Sequence, residues 1–297
     1  MAIERLDARG FFGEDGGEPV ALFRLRHVSG MEVAVCNLGA KVLQILVPDR
    51  HGHLGDVALG YDSLPALQAG APSMGAFIGR YAGRIGQARY TLDGTAYTLE
   101  ANAGPHAIHG GPNGSRHRVF SAHQDTPDEL TLNLRFEPSS DGHPGIVDLT
   151  LSYRVTADHT LVVEHEAVAV CNASPASPAS FTPHVFFNLD GVDGATVDEH
   201  RLQVTADRLL ATDRDNVVTG ERTVLEGHAL DLRPGRRLGD LPDIDHAFEL
   251  SPGQSSALRN VAHAHSPVSG RTLSVWTTEP VLQVYTAAAL GTGHSPD

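Results

Sequence analysis

Cysteine is scarce in this chain of 297 residues, which contains only Cys36 and Cys171. Two cysteines exclude a disulfide scaffold and a metal site built from paired CxxC motifs. One bridge between the two remains open. Because cysteine is among the residue types that are most often buried, two buried free thiols are the favoured interpretation.

Positive charge and long apolar runs are also in short supply. The chain has 22 basic against 36 acidic residues and a formal net charge of −14. Such a surface repels phosphate backbones and anionic lipid, so we expect no nucleic-acid or membrane partner. No run approaches the roughly 20 apolar residues of a membrane helix, and the N-terminal MAIERLDARGFFGEDGG is unlike a signal peptide. These features predict a cytoplasmic protein.

Amphipathic helical patterns are rare, with residues 64–68 as the best candidate, whereas strand patterns are frequent. Apolar and polar residues alternate over 130–136 and 147–155, as in half-buried antiparallel strands. Asp93-Gly94 is a favoured tight-turn pair and predicts a hairpin over 90–99. Further strand candidates are residues 33–35, 42–47, 161–166, 202–206 and 273–277. The pattern predicts an all-β sandwich or barrel, with residues 1–297 as a single domain.

Two arginines lie among glycines in GRYAGRIG, residues 79–86. No Gly-Lys-Ser/Thr follows, so the segment is not a nucleotide-binding P-loop. Glycines permit close approach of a ligand to the backbone, and Arg84 could offer its fork of donors to sugar hydroxyls. From spacing alone, a tight loop with a solvated arginine is favoured for Arg84.

Histidine is abundant, with 17 in the chain, and several occur as close pairs. His106 and His109, in GPHAIHGG, are one such pair. Neither of these two histidines has an acidic residue or a cysteine at a spacing recognised for metal ligands, and the HEXXH motif is absent. We therefore expect no metal. A hydrogen-bonding role for His109 beside two glycines remains open.

His184 is the one titratable side chain within the apolar and aromatic segment FTPHVFFNL, residues 181–189. Burial would lower the pKa of this histidine and a nearby carboxylate would raise it, so the site could be tuned for proton transfer near neutral pH. The competing interpretation is a core histidine that is bonded to the backbone.

Asp245 and Gln283 are two further polar candidates, in DIDHAF and EPVLQVYT. A carboxylate acceptor and an amide can together hold adjacent hydroxyl groups. Each residue alone is unremarkable at a strand end. GxSxG is absent, so nothing indicates a serine hydrolase.

Taken in order, the chain's motifs resemble the aldose 1-epimerase (galactose mutarotase) family. The matching segments are NLGA from residue 37, DVALGY from 56, GRYAGRIG from 79, AIHGG from 107, TPHVFFNLDG from 182, TGE from 219, DLR from 231, IDH from 244 and EPVLQVYT from 279. Each motif is weak alone, but their common order over nearly the whole chain makes chance similarity untenable.

The resemblance implies a large antiparallel β-sandwich, the galactose mutarotase-like supersandwich, with a sugar cleft and no cofactor. It implies that His184 is the general acid and that His109 binds the sugar and polarises its ring oxygen. It also implies that Arg84, Asp245 and Gln283 bind the hydroxyl groups of a small aldose. We expect a monomer or a homodimer.

The chain departs from the family pattern at three places. Gly83 stands where the family has asparagine, and Pro183 stands where it has asparagine before the catalytic histidine. The family continues beyond EPVLQVYT into strands that carry a catalytic glutamate, and no residue here matches that base before the chain ends at Asp297. We therefore expect a C-terminally short member.

The leading hypothesis from the sequence is an aldose 1-epimerase that interconverts the α and β anomers of a free hexose such as glucose or galactose. One alternative is a sugar-binding protein without catalysis. A second alternative is a hexose 6-phosphate 1-epimerase, with Arg80, Arg116 and Arg118 as phosphate ligands.

Overall fold

A computed structural model describes residues 5–71, 73–170, 176–193, 196–251, 253–287 and 290. Strands account for 46% of the structure and helices for 8%, which confirms the all-β class. Cys36 is a buried free thiol whose pKa is raised to about 11 by burial, and Cys171 lies outside the described residues. Within those ranges, no helix has both the length and the apolar composition needed to cross a membrane.

The described residues form two compact units. Within the described ranges, the first comprises residues 5–48 and 54–187, and the second comprises residues 49–53 and 188–290. The single domain over residues 1–297 stays a prediction.

The first unit contains short and long strands together with brief helices. Its strands are β1 (Gly13–Asp15), β2 (Glu18–Val20), β3 (Leu22–Arg26), β4 (Glu32–Cys36), β5 (Lys41–Pro48), β6 (Leu54–Asp56), β7 (Phe77–Ile78), β8 (Arg84–Ile85), β9 (Arg89–Leu92), β10 (Thr95–Thr98), β11 (Ala107–Ile108), β12 (Ser121–Thr126), β13 (Glu129–Phe136), β14 (Val147–Val155), β15 (Leu161–Ala169) and β16 (Thr182–Pro183). Its helices are α1 (Leu64–Ala69), α2 (Pro138–Asp141) and 3₁₀ turns at Ala8–Phe11, Gly86–Ala88 and Ser115–His117.

Two four-stranded antiparallel sheets enclose the core of the first unit. Their strand orders are β3-β4-β5-β6 and β12-β13-β14-β15. The alternation predicted for β13 and β14 is confirmed, since every second side chain along them is buried. These side chains pack against apolar residues of β3, β4 and β5. The core consists mainly of Leu25, Val33, Val35, Val42, Ile45, Leu130, Leu132, Phe136, Leu149, Leu151 and Tyr153.

The second unit is built in the same way on a smaller scale. Its strands are β17 (Arg201–Val204), β18 (Ala206–Thr212), β19 (Val218–Val224), β20 (Arg236–Arg237), β21 (Asp245–Leu250), β22 (Arg259–His265), β23 (Thr272–Thr277) and β24 (Val281–Tyr285), with a 3₁₀ turn at Leu238–Asp240. The two sheets have the orders β20-β17-β22-β23 and β19-β18-β21-β24. Their shared core consists of residues such as Val204, Leu209, Leu232, Ile244, Phe248 and Val261.

The predicted strand 202–206 is wrong in one respect, because the structure divides it into β17 and β18 at Thr205. The Thr205 N–H donates to the carbonyl oxygen of Val261 over 2.8 Å. β17 pairs with β20 and β22, whereas β18 pairs with β19 and β21. The chain therefore passes from one sheet of the sandwich to the other within a single residue, which a local pattern does not reveal. The hairpin of β9 and β10 around Asp93-Gly94 is confirmed.

Candidate active site

His109 is placed by the pairing of the two short strands β8 and β11, in which Ile108 lies opposite Arg84. His109 follows β11 directly and has a left-handed backbone with φ of 53°. Its N–H donates to the carbonyl oxygen of Gly83 over 3.2 Å, and the Gly83 N–H donates to its Nδ1 over 3.1 Å. Since Nδ1 accepts a hydrogen bond, we assign the ring proton to Nε2.

The electrostatic surroundings keep His109 neutral. Burial lowers the pKa of His109 well below its usual value of 6.5, and the positive charges of His184, Arg116 and Arg84 act in the same direction. Neutral imidazole with its proton on Nε2 is a hydrogen-bond donor that needs no prior protonation. His109 is therefore suited to donate to an oxygen atom of a ligand near neutral pH.

The loop after His109 depends on glycine at position 110. Gly110 has φ of 79°, and a Cβ added there would clash with the carbonyl oxygen of Gly79. Only glycine combines this backbone conformation with so close an approach. The Gly-Gly that follows His109 thus allows two backbone segments to touch beside the ring.

His184 is held by its main chain against the segment that precedes β7. Its N–H donates to the carbonyl oxygen of Ala76 over 2.8 Å, and its carbonyl oxygen accepts from the Gly75 N–H over 2.9 Å. Pro183, opposite Phe77 in the short β16–β7 pair, has no N–H to donate. The missing donor at Pro183 leaves both main-chain hydrogen bonds of His184 in place.

The rings of His109 and His184 come together although 75 residues of sequence separate their positions. Their centroids lie 5.4 Å apart at an interplanar angle of 84°. The His184 ring also contacts Phe186, with centroids 5.1 Å apart. Two imidazolium ions this close would repel each other, so the contact disfavours protonation of both rings at once.

Arg84 and Arg80 have opposite environments although both belong to GRYAGRIG. Arg84 is half-buried and forms no ion pair among the described residues. Arg80 is fully buried and makes a bidentate pair with Asp141, with bonds of 2.9 and 3.1 Å. Arg84 lies opposite Ile108, the residue before His109, and its guanidinium forms no hydrogen bond with another described residue.

The other donors of Arg80 are also taken up inside the protein. Nη1 binds the carbonyl oxygens of Pro144 and Gly145 and the hydroxyl of Ser177 at 2.9–3.0 Å. Arg116 is buried as well and donates to Ser73 over 2.6 Å. The sequence-based suggestion that Arg80 could serve a phosphate pocket is therefore wrong: this arginine is structural.

A cavity of about 230 Å³ lies against the His109 loop. It is lined by Gly83 and His109 and by the polar residues Glu100, Asn113 and His143. The cavity gives the His109 loop an accessible face in the first unit.

Asp245 and Gln283 meet in the second unit, where β21 pairs with β24. Ala247 lies opposite Gln283, which places Gln283 diagonally across from Asp245. The Gln283 Nε2 donates to Oδ1 of Asp245 over 2.7 Å. The predicted carboxylate and amide therefore form one hydrogen-bonded pair.

Asn216 is a neighbour of this pair that the sequence reasoning missed. Its Nδ2 donates to Oδ2 of Asp245 over 3.4 Å from the turn between β18 and β19. The turn sequence Asp-Arg-Asp-Asn was a usable signal for the turn, but nothing local indicates that the turn reaches Asp245. No cluster of three or more potential metal-ligating side chains occurs in the described part of the chain.

Comparisons with known proteins agree on one family. A family model described as aldose 1-epimerase matches residues 21–296. Aldose 1-epimerase of Escherichia coli K12 is 31% identical over 285 residues, which cover 93% of this chain and 81% of that protein. Galactose mutarotase of Rattus norvegicus is 33% identical over 290 residues, covering 94% and 81%.

The chain belongs to the aldose 1-epimerase family. Its fold matches the crystal structure of a GalM/aldose epimerase homologue from C. elegans with a TM-score of 0.83 at 29% identity, over 90% of this chain and 81% of that one. Galactose 1-epimerase from Lactobacillus acidophilus NCFM has the same fold, with a TM-score of 0.72 at 22% identity. These matches confirm the sandwich type and the enzyme class, an aldose 1-epimerase-like isomerase, that the sequence predicted.

Proposed function

We propose that this aldose 1-epimerase family member interconverts the α and β anomers of a free hexose such as glucose or galactose. The observation that carries the proposal is the perpendicular contact between His109 and His184, in which a hydrogen bond from Gly83 leaves His109 as a neutral donor. Such a pair can act on one ring oxygen with two different hydrogen-bonding roles.

In the proposed reaction His184 is the general acid. It transfers a proton to the ring oxygen of the sugar while the C1 hydroxyl loses its proton to a base, the C1–O bond breaks and an open-chain aldehyde forms. Rotation about C1–C2 presents the other face of the aldehyde, and the reverse transfers close the opposite anomer. Positioned acid–base groups of this kind contribute about 10²–10⁴-fold to a rate.

The remaining predicted residues bind the sugar in this proposal. Neutral His109 donates from Nε2 to the ring oxygen and stabilises the charge that develops there. Arg84 offers a guanidinium whose planar fork suits pairs of hydroxyl groups. In the second unit, Asp245 and Gln283 supply an acceptor and an amide to sugar hydroxyls. Neither His184 nor any of these four residues is assigned as the base that takes the proton of the C1 hydroxyl.

Polarimetry tests the proposal directly. Freshly dissolved α-D-glucose and α-D-galactose are followed with wild-type protein, His184→Gln, His109→Gln and a blank without protein. We expect rapid relaxation with the wild type and a loss of at least about 100-fold in kcat for His184→Gln. His123→Gln serves as the matched control, because its side chain is 71% exposed on β12.

The alternatives give different outcomes in the same experiment. Relaxation at the blank rate by folded wild-type protein that still binds galactose would leave a sugar-binding protein without catalysis. A strong preference for glucose 6-phosphate would indicate a hexose 6-phosphate epimerase, which the internal bonds of Arg80 disfavour. The cytoplasmic location and the monomeric or homodimeric state stay predictions.

A further inference from the structure

The turn between β18 and β19 is held together by its own hydrogen bonds. Asp213 anchors it, since its carboxylate accepts from the N–H groups of Asp215 and Val217 over 2.9 and 3.0 Å. The Asp213 N–H donates to the Val217 carbonyl oxygen over 2.9 Å, and the Asn216 N–H donates to the Asp213 carbonyl oxygen over 3.1 Å. Asn216 is therefore carried on a defined turn.

Asn216 occupies the left-handed position of that turn, with φ of 60°. Asparagine is one of the few residue types other than glycine that tolerate this conformation, because its short side chain bonds locally. Here the side chain instead reaches across to Asp245, on the neighbouring strand β21. A glycine would adopt the left-handed backbone at position 216 equally well. The backbone therefore does not explain the side-chain amide of Asn216.

The two oxygen atoms of Asp245 are each bound by a different amide. Gln283 donates to Oδ1 over 2.7 Å and Asn216 donates to Oδ2 over 3.4 Å. Both amide residues are exposed and Asp245 is only half-buried. An exposed carboxylate with no such partners would rotate among several orientations, and holding it from both sides removes that freedom.

We propose that Asn216 is a positioning residue that orients the Asp245 carboxylate for adjacent hydroxyl groups of the sugar. An ionised carboxylate has about four acceptor sites. Two of them are occupied by the amides, so the other two are aimed in fixed directions that suit a vicinal diol. The inference rests on the proposed function, because it assigns Asn216 a part in binding the same substrate. Asn216 acts through Asp245 and takes no part in proton transfer.

Two substitutions separate the amide from the backbone conformation. Asn216→Gly removes the side chain and keeps the left-handed turn, whereas Asn216→Asp keeps the shape and replaces the donor with a second carboxylate. We expect KM for galactose to rise about threefold to tenfold in Asn216→Gly, and more in Asn216→Asp, with kcat within about twofold of wild type. Arg214→Ala in the same turn, with a side chain that is 93% exposed, should leave both constants unchanged.

A double-mutant cycle with Asp245→Asn distinguishes positioning from a general effect on the turn. If Asn216 acts through Asp245, then Asn216→Gly causes no further weakening of galactose binding in the Asp245→Asn background. The proposal is overturned if Asn216→Gly weakens galactose binding equally in wild type and in Asp245→Asn. An unchanged KM in Asn216→Gly also overturns it.

The proposed function is checked separately from this inference. Wild-type protein is first measured by polarimetry, and galactose binding to all variants is measured by titration. Wild-type protein without epimerase activity contradicts the proposed function, and the titrations still decide the role of Asn216. An active wild type whose affinity is indifferent to Asn216 contradicts only the present inference.

Discussion

Gly83 and His109 form a reciprocal pair of hydrogen bonds, one to the ring of His109 and one from its backbone. The Gly83 N–H donates to Nδ1 of His109 over 3.1 Å, and the His109 N–H donates to the Gly83 carbonyl oxygen over 3.2 Å. A protonated ring has no acceptor nitrogen, so this bond exists only while His109 is neutral. The tautomer of His109 is thereby determined by the backbone of a residue 26 positions earlier.

The first prediction concerns this tautomer. We expect His109 to be neutral, with its proton on Nε2, at pH 7 and still at pH 6.5, where an ordinary histidine is half protonated, because burial and nearby positive charges lower its pKa. The ¹⁵N chemical shifts of the imidazole nitrogens distinguish the two neutral tautomers from the charged ring. A ring that is protonated on Nδ1 at pH 7 would contradict the assignment.

The second prediction concerns Gly110. Gly110→Ala should lower the free energy of unfolding by about 3 kcal/mol or more, because the new methyl group clashes with Gly79 in a left-handed backbone. Gly94→Ala is the matched control, since Gly94 has φ of 77° but nothing within 4 Å of the added Cβ. It should lose only about 1–2 kcal/mol. Urea denaturation measures both values, and equal losses would refute the role assigned to the close approach.

The third prediction concerns the fully buried ion pair of Arg80 and Asp141. Burial lowers the pKa of Arg80 and raises that of Asp141, so desolvation outweighs their mutual attraction in each group. Removing one partner should therefore cost about 3–5 kcal/mol of unfolding free energy, since the other charge is left buried. The exposed pair Arg135–Asp148 should contribute far less, because solvent and salt screen its attraction.

A double substitution checks the same argument. Arg80→Met combined with Asp141→Leu should be less destabilising than the sum of the two single changes, as expected for charges that depend on each other. Additive losses in thermal or urea unfolding would show that the two side chains stabilise the protein independently.

The fourth prediction concerns pH. Burial lowers the pKa of His143, which bonds the Tyr90 hydroxyl over 2.9 Å, to about 4 from its usual 6.5. The unfolded chain therefore takes up this proton at a higher pH than the folded protein does. The free energy of unfolding that neutral His143 contributes is therefore fully present above about pH 6.5, and it is lost as the pH falls toward about 4.

The measurement is the slope of unfolding free energy against pH. His143→Gln should flatten that slope between pH 6.5 and 4 by on the order of 1–3 kcal/mol in total. His51→Gln, which replaces an exposed histidine of the second unit, is the control variant against which the change of slope is compared. A slope that is the same in wild type and His143→Gln would contradict the prediction.

Local pattern predicted much of the strand content because side-chain alternation along a strand needs no knowledge of its partners. The alternation over 147–155 coincides with β14, and that over 130–136 lies within β13. Local pattern failed at Thr205, where the chain changes sheets, and in β15, which runs three residues beyond the predicted 161–166. In both places the extent of a strand depends on the partner strand.

The sequence by itself determined the all-β class and the family, because motif order and strand alternation are properties of the linear chain, whereas the roles of the five site residues stay predictions. Only the tertiary structure decided that Arg80 is buried against Asp141 while Arg84 keeps its donors, since two arginines of one motif look alike in sequence. The tertiary structure also brought Asn216 to Asp245. Contacts between distant segments follow from strand pairing and core packing, which no single segment encodes.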